Sequence, residues 1–172
     1  MPVQPQEFIV QQASMPTAPE QQGDPKLDLA AEVLRSGGTV RLKAWGTSML
    51  PTLWPGDLLT IENANPAEIA PGEIVLLRRD HRFFVHRLAE KRMDQGAVHW
   101  VTRGDAVGKK DPPAVESELL GRVSGIERSH HVRVPIGRLS LFNSAVAWML
   151  CRSKTFRSVA LRMHSLRLFA SA

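Results

Sequence analysis

Short apolar segments alternate with turn sequences through the middle of the chain, and this alternation limits the fold more than any other feature. Each segment is four to eight residues long, which suits a strand and is too short for a helix. Turn residues separate the segments, as in Pro55-Gly56-Asp57 and Pro71-Gly72-Glu73. The pattern predicts a mainly β domain with strands at 39–43, 58–61, 74–77, 83–88, 97–102 and 119–126.

One helix is predicted before the first strand. Asp24 can accept hydrogen bonds from the free N–H groups of a first turn, and Pro25 suits the first helical position. Gly37 can end the helix, because glycine tolerates the left-handed conformation beyond a C-cap. The apolar positions between them follow helical spacing and form one stripe: Leu27, Ala30, Ala31 and Leu34.

Length and composition suit one globular domain with an appendage. The chain has 172 residues, of which 43% are hydrophobic, enough for an ordinary core. A net charge of +5 permits binding to an anionic membrane or to nucleic acid but selects neither. The single cysteine excludes an intramolecular disulfide and a cysteine-based metal cluster.

Three regions are predicted from local composition. Residues 1–23 are rich in Gln, Pro, Ser and Ala and are expected to form a disordered leader, although residues 8–10 are apolar enough to dock as a strand. Residues 24–136 form the β domain. Residues 137–172 are expected to form a basic amphipathic helical tail, since Arg and Lys alternate there with apolar residues and no acid follows Glu127.

The predicted tail is relevant to the location of the protein in the cell. A basic helix of this kind docks on a membrane surface or a partner, or packs on its own domain; residues 139–172 are therefore a candidate peripheral membrane contact. No run reaches the ~18–20 apolar residues that span a bilayer, and the N-terminus has no secretory signal. The expected location is cytoplasmic or peripherally membrane-associated.

A serine lies in a stiff loop directly after the first predicted strand. Pro51 and Pro55 prevent a helix from starting after Ser48, so the loop stays irregular. An irregular loop between two strands can aim a serine at a substrate, although a solvated serine in a Pro/Gly-rich surface loop is the simpler alternative. The motif is Gly46-Thr47-Ser48-Met49-Leu50-Pro51-Thr52-Leu53-Trp54-Pro55-Gly56-Asp57.

This motif resembles the nucleophile box of the signal peptidase and LexA-type serine peptidases, the S24/S26 group, and is most similar to the signal peptidase branch. The resemblance implies a LexA/signal-peptidase-like β fold with Ser48 as nucleophile. It also implies that Gly46, Thr47 and Met49 support the oxyanion loop. Family members often carry a hydroxyl where Gly46 stands, so the second oxyanion donor is either Thr47 or backbone.

His86 is the candidate base. The segment Phe83-Phe84-Val85-His86-Arg87-Leu88 resembles the base segment of the signal peptidases that use histidine, whereas other branches have lysine there. A histidine picks up a proton near neutral pH without the burial that a lysine base needs. Lys91 is the rival base, in a polar stretch that suggests a solvated hairpin arm. The alternative to a catalytic base is that His86, as a single histidine at a strand end, is a structural residue.

A third motif follows the strand at 97–102. Arg103-Gly104-Asp105-Ala106 resembles the family's Lys-Gly-Asp-Asn box, with Ala106 departing from the usual Asn. The resemblance implies that Asp111 orients the histidine, because a carboxylate that accepts from the imidazole stabilises the imidazolium. Asp105 is expected to hold the loop through backbone N–H groups. The alternative is that both acids belong to ordinary turns.

The resemblance therefore implies a serine endopeptidase that cuts a leader or signal peptide from a peptide or preprotein substrate, with no metal and no cofactor. One alternative is a LexA-like regulator that cleaves itself. A regulator of this type needs a DNA-binding domain, none is visible in the sequence, and no nucleic acid partner is expected. The other alternative is a non-catalytic peptide-binding module.

Overall fold

A computed structural model describes residues 24–94 and 96–128 in full, together with the backbone of two short strands, Glu7–Ile9 and Val132–Arg133. The remainder of the predicted leader and the whole of the predicted tail, 137–172, lie outside the described residues. No helix among the described residues has both the length and the apolar character needed to cross a membrane.

The prediction of a mainly β domain with one N-terminal helix is confirmed. The helix, α1, precedes the main strands, and a short 3-10 turn at Glu116–Glu118 precedes the seventh strand. The elements are β1 Glu7–Ile9, α1 Pro25–Arg35, β2 Thr39–Lys43, β3 Leu58–Glu62, β4 Ile74–Arg79, β5 Arg82–Asp94, β6 Ala97–Arg103, β7 Leu119–Arg128 and β8 Val132–Arg133.

The strands form one sheet in the order β1-β2-β3-β7-β4-β5-β6, with β8 paired to β7. All neighbouring pairs are antiparallel except β1 and β2, which are parallel. Strand β7 lies between β3 and β4, so the end of the domain joins the β2–β3 hairpin to the β4–β5–β6 meander. Strand β2, which leads into the Ser48 loop, therefore belongs to the same sheet as β5 and β6.

Strand β1 lies inside the region for which a disordered leader was predicted. For Glu7–Ile9 that expectation is wrong, because these residues pair with Arg41, Leu42 and Lys43 of β2. The apolar residues Phe8 and Ile9 fit the alternative of a docked strand. An edge strand such as β2 presents unpaired N–H and C=O groups that can pair with a further strand, and this explains why Glu7–Ile9 forms a strand.

Helix α1 packs one apolar stripe against the sheet, as its spacing predicts. Asp24 caps the helix by accepting a hydrogen bond of 3.0 Å from the N–H of Lys26. Ala30, Ala31 and Leu34 are fully buried and belong to the larger core cluster. The helix therefore covers the sheet beside β2, the strand that leads to Ser48.

Strand β4 is buried on both faces, as its continuous apolar run predicts. Ile74 and Leu76 belong to the larger core cluster, whereas Val75 and Leu77 belong to a smaller one. The smaller cluster comprises Ile69, Val75, Leu77, Leu88, Trp100 and Ala114. Cores on both sides of the sheet hold its central strands rigidly, which favours precise placement of side chains at their ends.

Strand β5 is longer than predicted. Asp80 and His81 have positive φ angles of 50° and 58° and form the tight turn from β4. From there β5 continues through 89–94 and pairs with β6, with a bulge between Leu88 and Glu90. In the polar arm, residues 89–91 are partly buried and residues 92–94 are exposed, so the arm has no apolar pattern that would reveal the pairing.

Candidate active site

Ser48 lies in a loop that is held by buried side chains and by hydrogen bonds. Met49 and Leu53 are buried in the larger core cluster beneath the loop. The indole N–H of Trp54 donates to the carbonyl oxygen of Pro51 at 2.9 Å, and the backbone N–H of Trp54 donates to the carboxylate of Asp57 at 2.8 Å. These contacts hold the loop in one shape while Ser48 stays partly exposed.

His86 bridges Ser48 and Asp111. Its Nε2 lies 3.0 Å from the hydroxyl oxygen of Ser48, and its Nδ1 lies 2.6 Å from Oδ2 of Asp111. With the proton on Nδ1, His86 donates to the carboxylate, and Nε2 is free to accept from the serine hydroxyl. The structure thus brings the three predicted site residues into one hydrogen-bonded row, although 25 and 38 residues separate the hydrogen-bonded partners in the chain.

The carboxylate of Asp111 is positioned by Thr102 of β6, which is fully buried. The Thr102 hydroxyl donates to Oδ2 of Asp111 at 2.7 Å, and the backbone N–H of Asp111 donates to the carbonyl oxygen of Thr102 at 2.8 Å. Both contacts direct the carboxylate towards His86.

Burial acts to raise the pKa of the Asp111 carboxyl, but opposing effects are larger. The hydrogen bond with His86, the charge of His86, the hydrogen bond with Thr102 and the charge of Arg79 together hold that pKa below its ordinary value. Asp111 is therefore ionised at neutral pH and can stabilise a positive imidazolium.

The third motif is in direct contact with the serine loop. The backbone N–H of Ala106 donates to the carbonyl oxygen of Ser48 at 2.8 Å. Gly104 lies so close that a β-carbon on it would be 2.6 Å from that oxygen. Ala106, the residue that departs from the family pattern, contributes its backbone here and is itself buried. The 103–106 segment therefore sets the backbone position of Ser48.

Asp105 holds the loop through contacts with the side chains of two neighbouring segments. Its two oxygens accept from Nε and Nη2 of Arg87, each at 2.8 Å, and Oδ2 also accepts from the Thr52 hydroxyl at 2.5 Å. Arg87 also donates to the carbonyl oxygen of Gly72 at 2.7 Å. A guanidinium presents two parallel donors, which explains why it satisfies a buried carboxylate better than scattered backbone groups.

Lys91, the rival base, is engaged elsewhere. Its ammonium donates to the carbonyl oxygens of Pro66 and Ala67 at 2.8 and 2.9 Å. It follows His86 by five residues on the same strand, about 16 Å at 3.3 Å per residue. The contacts of Lys91 therefore stabilise the loop before β4.

A pocket opens beside Ser48. Its lining is largely apolar: Lys43, Ala44, Trp45, Gly46, Ser48, Met49, Leu53, Trp54, Leu59 and Val85. Gly46 is exposed, and Thr47 is partly exposed. An apolar pocket next to a serine can hold a small or apolar side chain of a peptide while the adjacent carbonyl faces the hydroxyl.

The sequence does not predict the roles of three further residues of the site: Thr102, Arg87 and Thr52. Each is a polar side chain with a buried or partly buried hydrogen bond. The available signals were a threonine inside an apolar strand and an arginine beside the candidate histidine, and neither specifies a partner. The described residues include no group of three or more His, Cys, Asp or Glu side chains that could hold a metal ion.

Comparison with known proteins gives one match. The model of one protein family, described as Peptidase S24-like, matches residues 8–123. No curated protein and no solved structure matches the chain. The matched segment covers more than half of the chain and contains Ser48, His86 and Asp111.

Proposed function

Because this chain belongs to the Peptidase S24-like family, we propose that it is a serine endopeptidase with Ser48 as nucleophile, His86 as base and Asp111 as the orienting acid. The observation that carries the proposal is the hydrogen-bonded row from Ser48 through His86 to Asp111, at 3.0 and 2.6 Å. A nucleophile, a base and an orienter within hydrogen-bonding reach are what acyl transfer requires.

The reaction has two stages. In the first, Nε2 of His86 takes the proton of the Ser48 hydroxyl as the serine oxygen attacks the peptide carbonyl, and His86 then returns that proton to the leaving amine. In the second, His86 removes a proton from a water molecule that attacks the acyl-enzyme ester. The bond between the acyl carbon and the serine oxygen then breaks, His86 returns the proton to that oxygen, and the acyl group leaves as a carboxylic acid. Asp111 stabilises the imidazolium in both stages, which is consistent with its lowered pKa.

The tetrahedral oxyanion needs hydrogen-bond donors near Ser48. The proposed donors are the backbone N–H of Ser48 and a group of Thr47, since Gly46 has no side chain to contribute. In other serine peptidases the loss of one such donor costs about 3–4 kcal/mol of transition-state stabilisation. The identity of the second donor therefore matters to the rate.

The finer proposal is signal-peptidase-type processing, in which a leader is removed from a secreted or ribosomally made peptide. Its support is the similarity of the serine and histidine motifs to the histidine-using signal peptidases, and the apolar pocket beside Ser48. This finer proposal includes a peripheral membrane contact through residues 139–172. Sedimentation with anionic vesicles, with and without those residues, tests it.

Self-cleavage is the second candidate function, and the family match favours it. The S24 group includes regulators that cut their own chain, and the family model covers residues 8–123 of this chain. Time-dependent truncation of purified protein, with a first-order rate that does not depend on concentration, would distinguish cleavage in cis from processing of a separate substrate.

The direct test compares Ser48→Ala with Ser124→Ala. Ser124 is an exposed serine of β7 and serves as the matched control. Turnover of leader peptides and labelling by a serine-reactive fluorophosphonate should vanish in Ser48→Ala and persist in Ser124→Ala. Activity that survives in Ser48→Ala would contradict the proposal.

A further inference from the structure

In the described part of the chain, the outer edge of β2 is covered by β1 over three residues. Strand β1 is the last of the described strands on that side of the sheet, and it pairs in parallel with β2, from Glu7 opposite Arg41 to Ile9 opposite Lys43. β1 has only three residues, and parallel pairing is slightly weaker per residue than antiparallel pairing. This contact is therefore one that another extended strand can replace.

Beyond Lys43, no described residue pairs with the same edge. Ala44 directs its backbone towards the β3 side, because its N–H donates to Asp57 and its carbonyl accepts from Gly56. If the alternation of backbone groups in β2 continues past its end at Lys43, those of Trp45 face the outer edge. Within the described residues nothing forms a hydrogen bond with the backbone of Trp45, which is 44% exposed.

The part of the edge that no described residue covers lies next to the candidate nucleophile. Trp45 precedes Ser48 by three residues, and both line the pocket described above. An extended peptide that pairs with Trp45 would therefore pass the serine hydroxyl. If such a peptide also pairs further upstream, with Lys43 and Arg41, it meets β1.

We infer that Glu7–Ile9 is an internal competitor for an extended peptide that docks in parallel along the outer edge of residues 41–45. The inference rests on the proposed function in taking a peptide as the occupant. Main-chain hydrogen bonds supply affinity in strand addition of this kind, so whichever strand holds the edge excludes the other. Release of β1 then raises the affinity of the domain for substrate peptide.

The test measures peptide binding without cleavage. The probe is a fluorescein-labelled synthetic peptide with the sequence of residues 4–12 of this chain, and the protein is full-length Ser48→Ala, in which the probe stays intact. Phe8→Pro and Ile9→Pro are each added to it. Only alternate residues of a strand donate to a given neighbour, so one of the two prolines removes a donor to β2.

Fluorescence anisotropy should show tighter binding of the probe to the proline variant that releases β1. If β1 holds the edge in about 90% of molecules, its release lowers the apparent Kd about tenfold. Gln4→Pro, which lies outside β1, should leave the Kd unchanged. A probe with proline in place of its own phenylalanine should bind more weakly than the unmodified probe to the released protein.

An equal Kd for Ser48→Ala and both proline variants, each with an unchanged melting temperature, would overturn the inference. If a proline variant does not fold, a Phe8→Gly/Ile9→Gly double variant replaces it, because glycine weakens a strand without blocking its donors. The two proposals fail separately. Absent cleavage with a shifted Kd would remove only the peptidase function, and normal cleavage with an unshifted Kd would remove only the competitor.

Discussion

The carbonyl oxygen of Ser48 packs against Gly104 so closely that a β-carbon at residue 104 would lie 2.6 Å from it. The neighbouring N–H of Ala106 donates to the same oxygen at 2.8 Å. The backbone of the serine loop is therefore positioned by the third motif, although 56 residues separate positions 48 and 104.

Gly104→Ala should greatly reduce activity, because the added methyl group would overlap the Ser48 carbonyl oxygen and displace the backbone that positions the nucleophile. Gly108→Ala is the matched control, since a β-carbon there meets nothing within 4 Å. A displacement of about 1 Å can cost roughly 100-fold in rate. Steady-state kinetics on both variants measures the effect, and equal activity of the two would contradict the placement.

Thr102→Val should lower kcat and leave KM nearly unchanged. The valine keeps the shape of threonine but removes the hydroxyl that donates to Asp111 at 2.7 Å. A hydrogen bond to a charged group contributes about 1.5–3 kcal/mol, so a loss of roughly 10- to 100-fold in kcat is expected. Thr102→Ser should restore most of it. A serine variant as slow as the valine variant would assign Thr102 a packing role only.

Asp111 should make stability depend on pH at the acidic end. Its pKa is lower in the folded chain than in the unfolded chain. The stabilisation is therefore fully present above the unfolded value of about 3.9 and is lost as pH falls through the folded value. Urea denaturation at several pH values should show Asp111→Asn less stable than the wild type near pH 7, with the difference shrinking towards pH 3. A difference independent of pH would contradict the lowered pKa.

Arg87→Met should destabilise the fold as well as the site. The side chains of Arg87 and Asp105 are 10% and 2% exposed, so the substitution leaves a buried carboxylate without its main partner. Breaking a buried pair in this way costs about 3–5 kcal/mol. Arg92→Met is the control, because its pair with Glu90 is exposed and little change is expected. Urea denaturation distinguishes the two, and a small loss for Arg87→Met would mean that water replaces the pair.

The strands were predictable where burial leaves a pattern in the sequence. The sequence of β4 is a continuous apolar run because the strand is buried on both faces. The sequence of α1 has apolar residues at helical spacing because only one side of the helix is buried. The far half of β5 carries no such pattern, because its residues are only partly buried or exposed. The three-residue strand β1 was not the preferred prediction, because its pairing depends on a distant edge.

The candidate site was predictable only as separate motifs. The distance of 3.0 Å between His86 and Ser48 depends on the sheet order β3-β7-β4-β5-β6, which brings together strands that are far apart in the chain. No local pattern contains that order. Thr102 and Arg87 were missed for the same reason, since their partners lie on other segments.

The central claim is that His86 activates Ser48, and site-mapped labelling tests it most directly. A fluorophosphonate probe is added to the wild type, His86→Ala and Lys91→Ala, and mass spectrometry of the digested protein locates and quantifies the label. We expect label on Ser48 in the wild type and in Lys91→Ala, and almost none in His86→Ala. Label on Ser48 that persists in His86→Ala and disappears in Lys91→Ala would contradict it.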